Sequence, residues 1–208
     1  MSKKSIRWTI GSVSLLLLLY GIAQLASSMM AWPIPPSNYS KKDLIANYQA
    51  RKTQILQVKD FLTSIVPPHK HVAIEFTDDH TLGRLEVCSL DSVTGAFIYP
   101  IFLEWNLATT SRQVDSVIGT LHWTVGTLQQ LKQRLDSAHC ISAQNGEPCQ
   151  IGFQRSGMGM YFYDLFTSPI PDGAKDKYND GCTHIFYNPT VVLEYGGGAI
   201  GPQCFPKD

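Results

Sequence analysis

The 208-residue chain is 44% hydrophobic and 11% aromatic, with seventeen basic and seventeen acidic residues and a formal net charge of zero. Such a composition supplies a hydrophobic core and excludes a disordered chain, and the charge balance excludes the basic face of a nucleic-acid binder. Five cysteines are too few for a disulfide-dominated scaffold.

The N-terminus carries Lys3, Lys4 and Arg7, and no further charged residue occurs before Lys41. Residues 8–32 within that gap are long enough to cross a bilayer, which takes about 20 apolar residues, and exceed the core of a secretory signal. Trp8 and Trp32 sit at the two ends, where amphipathic rings favour the lipid–water interface. The flanking cations predict a cytoplasmic N-terminus and a single-pass anchor, with the lipid bilayer as the partner of residues 8–32. Ala26-Ser27-Ser28 also fits a signal-peptidase site, so secretion after cleavage near Ser28 is the alternative. Both readings place residues 33–208 outside the cytoplasm. That part loses three basic residues and no acidic ones, leaving 14 against 17 and a net charge of −3. Residues 33–39 contain Pro33, Pro35 and Pro36 and predict an extended linker.

Residues 40–208 predict an α+β domain. Ser40 followed by Asp43 resembles a capping box. Leu44, Tyr48, Ile55, Val58, Leu62 and Ile65 continue at helical spacing until Pro67-Pro68 stops the helix. Residues 71–77 alternate with Val72, Ile74 and Phe76 on one face, a strand pattern. Asp78-Asp79-His80-Thr81 is a polar turn into a second strand, 82–90, and a third follows at 96–105. Pro100 cannot donate to a ladder, which predicts an edge position or a bulge for that third strand. A short helix is expected over 111–118. A second helix is capped by Thr124 and striped by Leu128, Leu131, Leu135 and Ala138. Further strands are expected at 140–144, 149–154, 160–167, 183–188 and 190–195, with a polar loop over 168–181 and a coil tail.

The expected architecture is a mainly antiparallel sheet with two principal helices on one side. Residues 95–102 and 159–166 share a pattern of small, aromatic and apolar positions. That match raises a two-unit organisation, each unit a helix plus three strands, with halves 40–105 and 111–208.

An exported location permits disulfides. Proximity favours Cys182–Cys204 first and Cys140–Cys149 second, with Cys88 left as a buried strand thiol. A two-residue hairpin at Asn145-Gly146 would set Cys140 and Cys149 diagonally, about 7–8 Å apart and at the limit of bridging, so the second pair requires a wider loop.

Chemistry is thinly marked. Cys182 and His184 would share a strand face, the pattern of a thiol–imidazole pair. His69, His71 and His80 are a loose imidazole group without metal-site spacing. Gly196-Gly197-Gly198 lacks the Lys and Ser/Thr of a phosphate loop, so no cofactor is expected, and no catalytic or metal residue is assigned. The segment Arg155, Ser156, Gly157, Met158, Gly159, Met160 and Tyr161 is small, then thioether-rich, then aromatic, a composition suited to an adaptable protein-binding loop. The reading is a non-enzymatic extracytoplasmic interaction or assembly domain. An exported hydrolase using a Cys/His or carboxylate site, and an exported inhibitor of another enzyme, are the alternatives.

Overall fold

Ser40 does begin a helix. In the computed structural model, its backbone N–H and hydroxyl donate to Asp43 Oδ2 at 2.8 and 2.7 Å, while Asp43 N–H donates back to Ser40 Oγ at 3.3 Å. The structure describes residues 39–156, 159–197 and 201–206, which belong to one compact unit. The expected anchor or signal at 1–32, and the linker up to residue 38, lie outside the described residues. Among the described residues no helix is long and apolar enough to cross a membrane.

Helix α1 spans Lys41–Ile65 and buries Leu44, Tyr48, Ile55, Val58 and Leu62, five of the six residues of the predicted stripe. It bends at Arg51, whose φ and ψ of −129° and 24° are not helical. Replacing the cap, Ser40→Ala, should cost about 1 kcal/mol in chemical denaturation, and an unchanged midpoint would contradict the box.

Strands β1 (Lys70–Phe76), β2 (Thr81–Leu90) and β3 (Phe97–Ala108) form an antiparallel meander. Helices α2 (Arg112–Gly119) and α3 (Val125–Ser137) follow, capped by Ser111 and Thr124. Strands β4 (Ser142–Gln144), β5 (Cys149–Ser156) and β6 (Gly159–Leu165) come next. The polar loop contains a 3₁₀ helix, Asp172–Tyr178, that the sequence did not signal. Strands β7 (His184–Asn188) and β8 (Val191–Gly196) complete the sheet.

The result is an α+β fold on one open, antiparallel eight-stranded sheet in the order β3-β2-β1-β4-β5-β6-β8-β7. Strand β3 lies at an edge, where Pro100, in a cis peptide bond, leaves no ladder bond unmade.

One core joins Leu44, Ile55 and Leu62 of α1 and Leu128, Leu131 and Leu135 of α3 to Ile74, Ile151, Tyr163 and Leu193 of the sheet. Asn47 of α1 is buried and fully employed. Its Nδ2 donates to Ala138 O and Tyr163 Oη, both at 3.1 Å, and Tyr163 Oη donates to Leu44 O at 2.8 Å. These bonds fix α1 to the end of α3 and to β6.

Alternate strand residues point away from that core. The cross-strand pairs Glu75–Ser142, Gln144–Gln150, Phe162–Glu194 and His184–Glu194 run along the opposite face, here termed helix-free because no α-helix among the described residues covers it. The 3₁₀ helix lies against its β7 end, with Tyr178 beside His184 and Lys175 over Phe186. At Gly152 a Cβ would clash with Ser142 Oγ and Met160 Sδ, so a larger residue would displace these side chains.

Cys182 and Cys204 are disulfide-bonded. Cys140 and Cys149 are not: both are buried free thiols, as is Cys88. The expected second bridge fails on register. Ser142 pairs with Gly152, and the turn holds Asn145, Gly146, Glu147 and cis Pro148, so Cys149 lies at the turn end of β5 while Cys140 precedes β4.

Candidate functional site

The helix-free face holds a cavity of about 500 Å³ across the β1–β4 seam. Glu75, Arg84, Trp105, Gln150, Arg155 and Glu194 are among the side chains that line it. Glu75 is nearly buried and would be a costly lone charge. Arg155 meets it with a bidentate fork, Nε to Oε1 and Nη2 to Oε2, each 2.6 Å. Arg84 pairs with Glu86 beside it. Trp105 is 54% exposed at the cavity's β3 side, although it is one of the largest apolar side chains in the chain.

At the opposite end the polar residues connect. Gln150 Nε2 donates to Asp164 Oδ1 at 2.9 Å and to Glu194 Oε2 at 2.7 Å. His184 Nε2 lies 3.9 Å from Glu194 Oε2. Its Nδ1 is 2.7 Å from Thr183 Oγ1 and 3.4 Å from Asp180 Oδ2. Among the described residues, Asp164, His184 and Glu194 are the one group of three potential metal ligands that converges, with ligand atoms all within 4.8 Å of one another.

The electrostatics follow from burial. Desolvation, and then the adjacent Glu194 charge, push the Asp164 carboxyl well above the ordinary carboxylate range. Glu194 is also raised by desolvation, and the nearby His184 opposes the rise. Asp180 behaves differently. Burial pushes it up, but the His184 N–H, the Thr183 hydroxyl and the Cys182 N–H outweigh that effect and hold it well below the ordinary range.

A second cavity, of about 380 Å³, lies between the β1–β2 turn and α3, with His80, Thr109 and Gln129 in its wall. Its cation, Lys132, is satisfied by Asp79 at 3.0 Å and Asp136 at 2.7 Å.

The residues singled out in the sequence are distributed as follows. Cys182 is tied up in the bridge and has no thiol to activate, so the Cys182–His184 catalytic pair is removed. Burial raises the pKa of Cys88 and of Cys140, and pushes Cys149 up to about 12, which leaves three inert thiols. His71 is buried against Phe97, ring centroids 5.0 Å apart, whereas His80 sits at the β1–β2 turn; no three-ligand group forms there. In the Arg155–Tyr161 segment, Gly157 and Met158 lie outside the described residues. Met160 is buried over Gly152 and accepts from Ser142 Oγ at 3.2 Å. Tyr161 is fully buried and stacks on Tyr195 and Phe205, at 4.5 and 5.6 Å. Ser156 is buried, and Gly159 packs beside Tyr195. Of the segment's described residues, Arg155 and Met160 line the large cavity.

Asp164, Glu194, Gln150 and Trp105 belong to no recognisable motif in the sequence. A weak signal was present: Asp164 and Glu194 are acidic residues within otherwise apolar strands, an unusual position unless partnered.

A scan against protein-family models finds no match to the chain, and searches of curated proteins and of solved structures find none either.

Proposed function

We propose that residues 40–208 form an extracytoplasmic, non-enzymatic interaction domain that binds a protein partner through the helix-free face of its sheet. Residues 8–32 hold it at a membrane, or release it after cleavage near Ser28. The observation that carries this reading is Trp105, more than half exposed at the lip of the 500 Å³ cavity, beside the Arg84–Glu86 and Glu75–Arg155 pairs. Trp and Arg are the residues that dominate protein–protein hot spots, and a cavity this size admits one or two partner side chains. Acidic and basic groups alternate across the face, which suits a polypeptide of mixed charge and not a polyanion.

The sheet order supports two helix-plus-three-strand units. Outward from the β1–β4 seam, β1-β2-β3 and β4-β5-β6 each follow in chain order, led by α1 and by α3. On this reading the partner docks across the seam between the halves.

The test is affinity purification of the tagged full chain from its native membrane or medium, with wild type, Trp105→Ala and Gln130→Ala compared. Gln130 is exposed on α3 and serves as the control. The expected result is a protein partner whose recovery falls at least tenfold with Trp105→Ala and not with Gln130→Ala. Equal recovery by wild type and Trp105→Ala would overturn the assignment of the face.

A second reading, an exported hydrolase, now rests on carboxylates alone. Glu194 reaches the cavity and Asp164 behind it retains a proton to unusually high pH, the arrangement of an acid–base pair. Hydrolase activity in the purified chain that Glu194→Gln abolishes would favour it.

A further inference from the structure

We propose that Asp164, His184 and Glu194 form a binding site for a divalent transition-metal ion of the zinc type at one end of the open-face cavity. This inference stands on the local geometry and does not depend on what the face binds.

Three strands supply the ligands. His184 of β7 and Glu194 of β8 are directly paired across the ladder. Phe162 of β6 is the residue opposite Glu194, and Asp164 follows it on the same face. Zinc binds nitrogen and carboxylate oxygen at about 2.0–2.2 Å, so its ligand atoms sit about 3–4 Å from one another. The three ligand atoms here lie within 4.8 Å, and His184 Nε2 and Glu194 Oε2 are already 3.9 Å apart. Closing on an ion needs the longest of these separations to shorten by at most about 1–2 Å.

The outer shell is built independently of any ion. A metal-binding imidazole is ordinarily held by a carboxylate or carbonyl on its other nitrogen. His184 Nδ1 faces Asp180 Oδ2 and Thr183 Oγ1, which leaves Nε2 free to present its lone pair toward Glu194. Asp180 is itself fixed by the backbone N–H groups of Cys182, Thr183 and His184 at 2.8, 2.8 and 2.9 Å. The Cys182–Cys204 bridge pins the same turn. On the carboxylate side, Gln150 Nε2 donates to both Asp164 and Glu194, orienting one oxygen of each. Each of the three ligands is therefore hydrogen-bonded by a group that is not itself a ligand.

The ligand set selects the ion class. One imidazole with two carboxylates suits zinc and its neighbours, whereas calcium and magnesium favour all-oxygen shells. Three protein ligands leave a fourth position open, and Glu194 also lines the cavity.

The test uses full-length protein in detergent, stripped with EDTA and titrated with Zn²⁺ in the presence of a competing chelator. The expected result is one equivalent bound, with affinity reduced at least a hundredfold by His184→Ala and by the near-isosteric Asp164→Asn. Asp180→Asn, which touches no ligand atom but the imidazole's far side, should weaken binding about tenfold to a hundredfold. His80→Ala should leave it unchanged. Cobalt substitution gives a second readout: ligand-field bands without the thiolate charge-transfer absorption that Cys88, Cys140 or Cys149 would produce. Circular dichroism confirms that each variant is folded. No binding by the wild-type chain, thiolate bands with cobalt, or binding by Asp164→Asn equal to wild type would each overturn the proposal.

Discussion

Reducing the Cys182–Cys204 bridge is expected to lower the stability of the domain by about 3 kcal/mol. For a domain of this size that corresponds to a fall of roughly 6–12 °C in Tm. The bridge joins residues 22 apart in sequence, so breaking it returns a sizeable loop's freedom to the unfolded chain. In the folded state it anchors the tail, which otherwise holds to the sheet through few contacts. Phe205 N–H donates to Cys182 O at 2.8 Å, Gln203 N–H donates to Tyr195 O at 3.2 Å, and the Phe205 ring rests on Tyr161. The buried Cys88, Cys140 and Cys149 offer no replacement partner at the surface. Thermal melts of wild type with and without reductant, beside Cys182→Ser/Cys204→Ser, measure the effect. Reduced wild type and the double variant should melt together, both well below the oxidised protein. A Tm insensitive to reductant would mean that the bridge contributes nothing to the stability of the fold.

Asp164→Asn should stabilise the metal-free domain, by about 1–3 kcal/mol at pH 8, where most loss-of-charge substitutions in a core do harm. Asp164 is buried beside Glu194, and both carboxyls are raised above their ordinary values. A group whose folded pKa is raised contributes stability that is fully present below its unfolded pKa and is lost as pH rises through the folded value. Wild type in EDTA should therefore weaken from about pH 4 upward relative to the variant, as the unfolded chain releases a proton that the folded chain retains. Asparagine keeps the acceptor that Gln150 uses and supplies an N–H toward Glu194, so the penalty disappears without leaving a cavity. Denaturant titrations at pH 4 and pH 8 should show the two proteins converging at the lower pH and the variant ahead at the higher. A variant less stable than wild type at pH 8 would show that the carboxylate is paired there by something other than Glu194 and Gln150.

Much of the fold was legible in the sequence because local signals and tertiary packing agree. Ser40 and Thr124 cap helices in the structure, and the leucines of α3 are buried at the spacing that predicted them. Pro100 placed β3 at an edge because a residue without an N–H fits where the ladder ends. The 3₁₀ helix at Asp172–Tyr178 was invisible because its seven residues are mostly polar, with none buried, and carry no period. The Cys140–Cys149 expectation failed on a long-range fact, the register of β4 against β5, which no local pattern specifies.

The site was the least legible part. The segment from Arg155 to Tyr161 reads as a surface loop by composition, yet Tyr161 is enclosed by Tyr195 and Phe205, from strand β8 and the tail. Conversely, Asp164, His184 and Glu194 lie up to thirty residues apart along the chain. They converge because β8 inserts between β6 and β7, and strand order is a property of the folded sheet. Glu75 and Arg155 form a bidentate pair across 80 residues for the same reason.

The central claim is that the helix-free face, and not the helical one, meets the partner. Site-directed photocrosslinking in the native membrane or medium tests it most directly, with the crosslinking side chain placed at position 105 in one protein and at position 130 in another. The account predicts a defined protein adduct from position 105, suppressed when Arg155→Glu is added, and none from position 130. An adduct from position 130 with none from position 105 would contradict it.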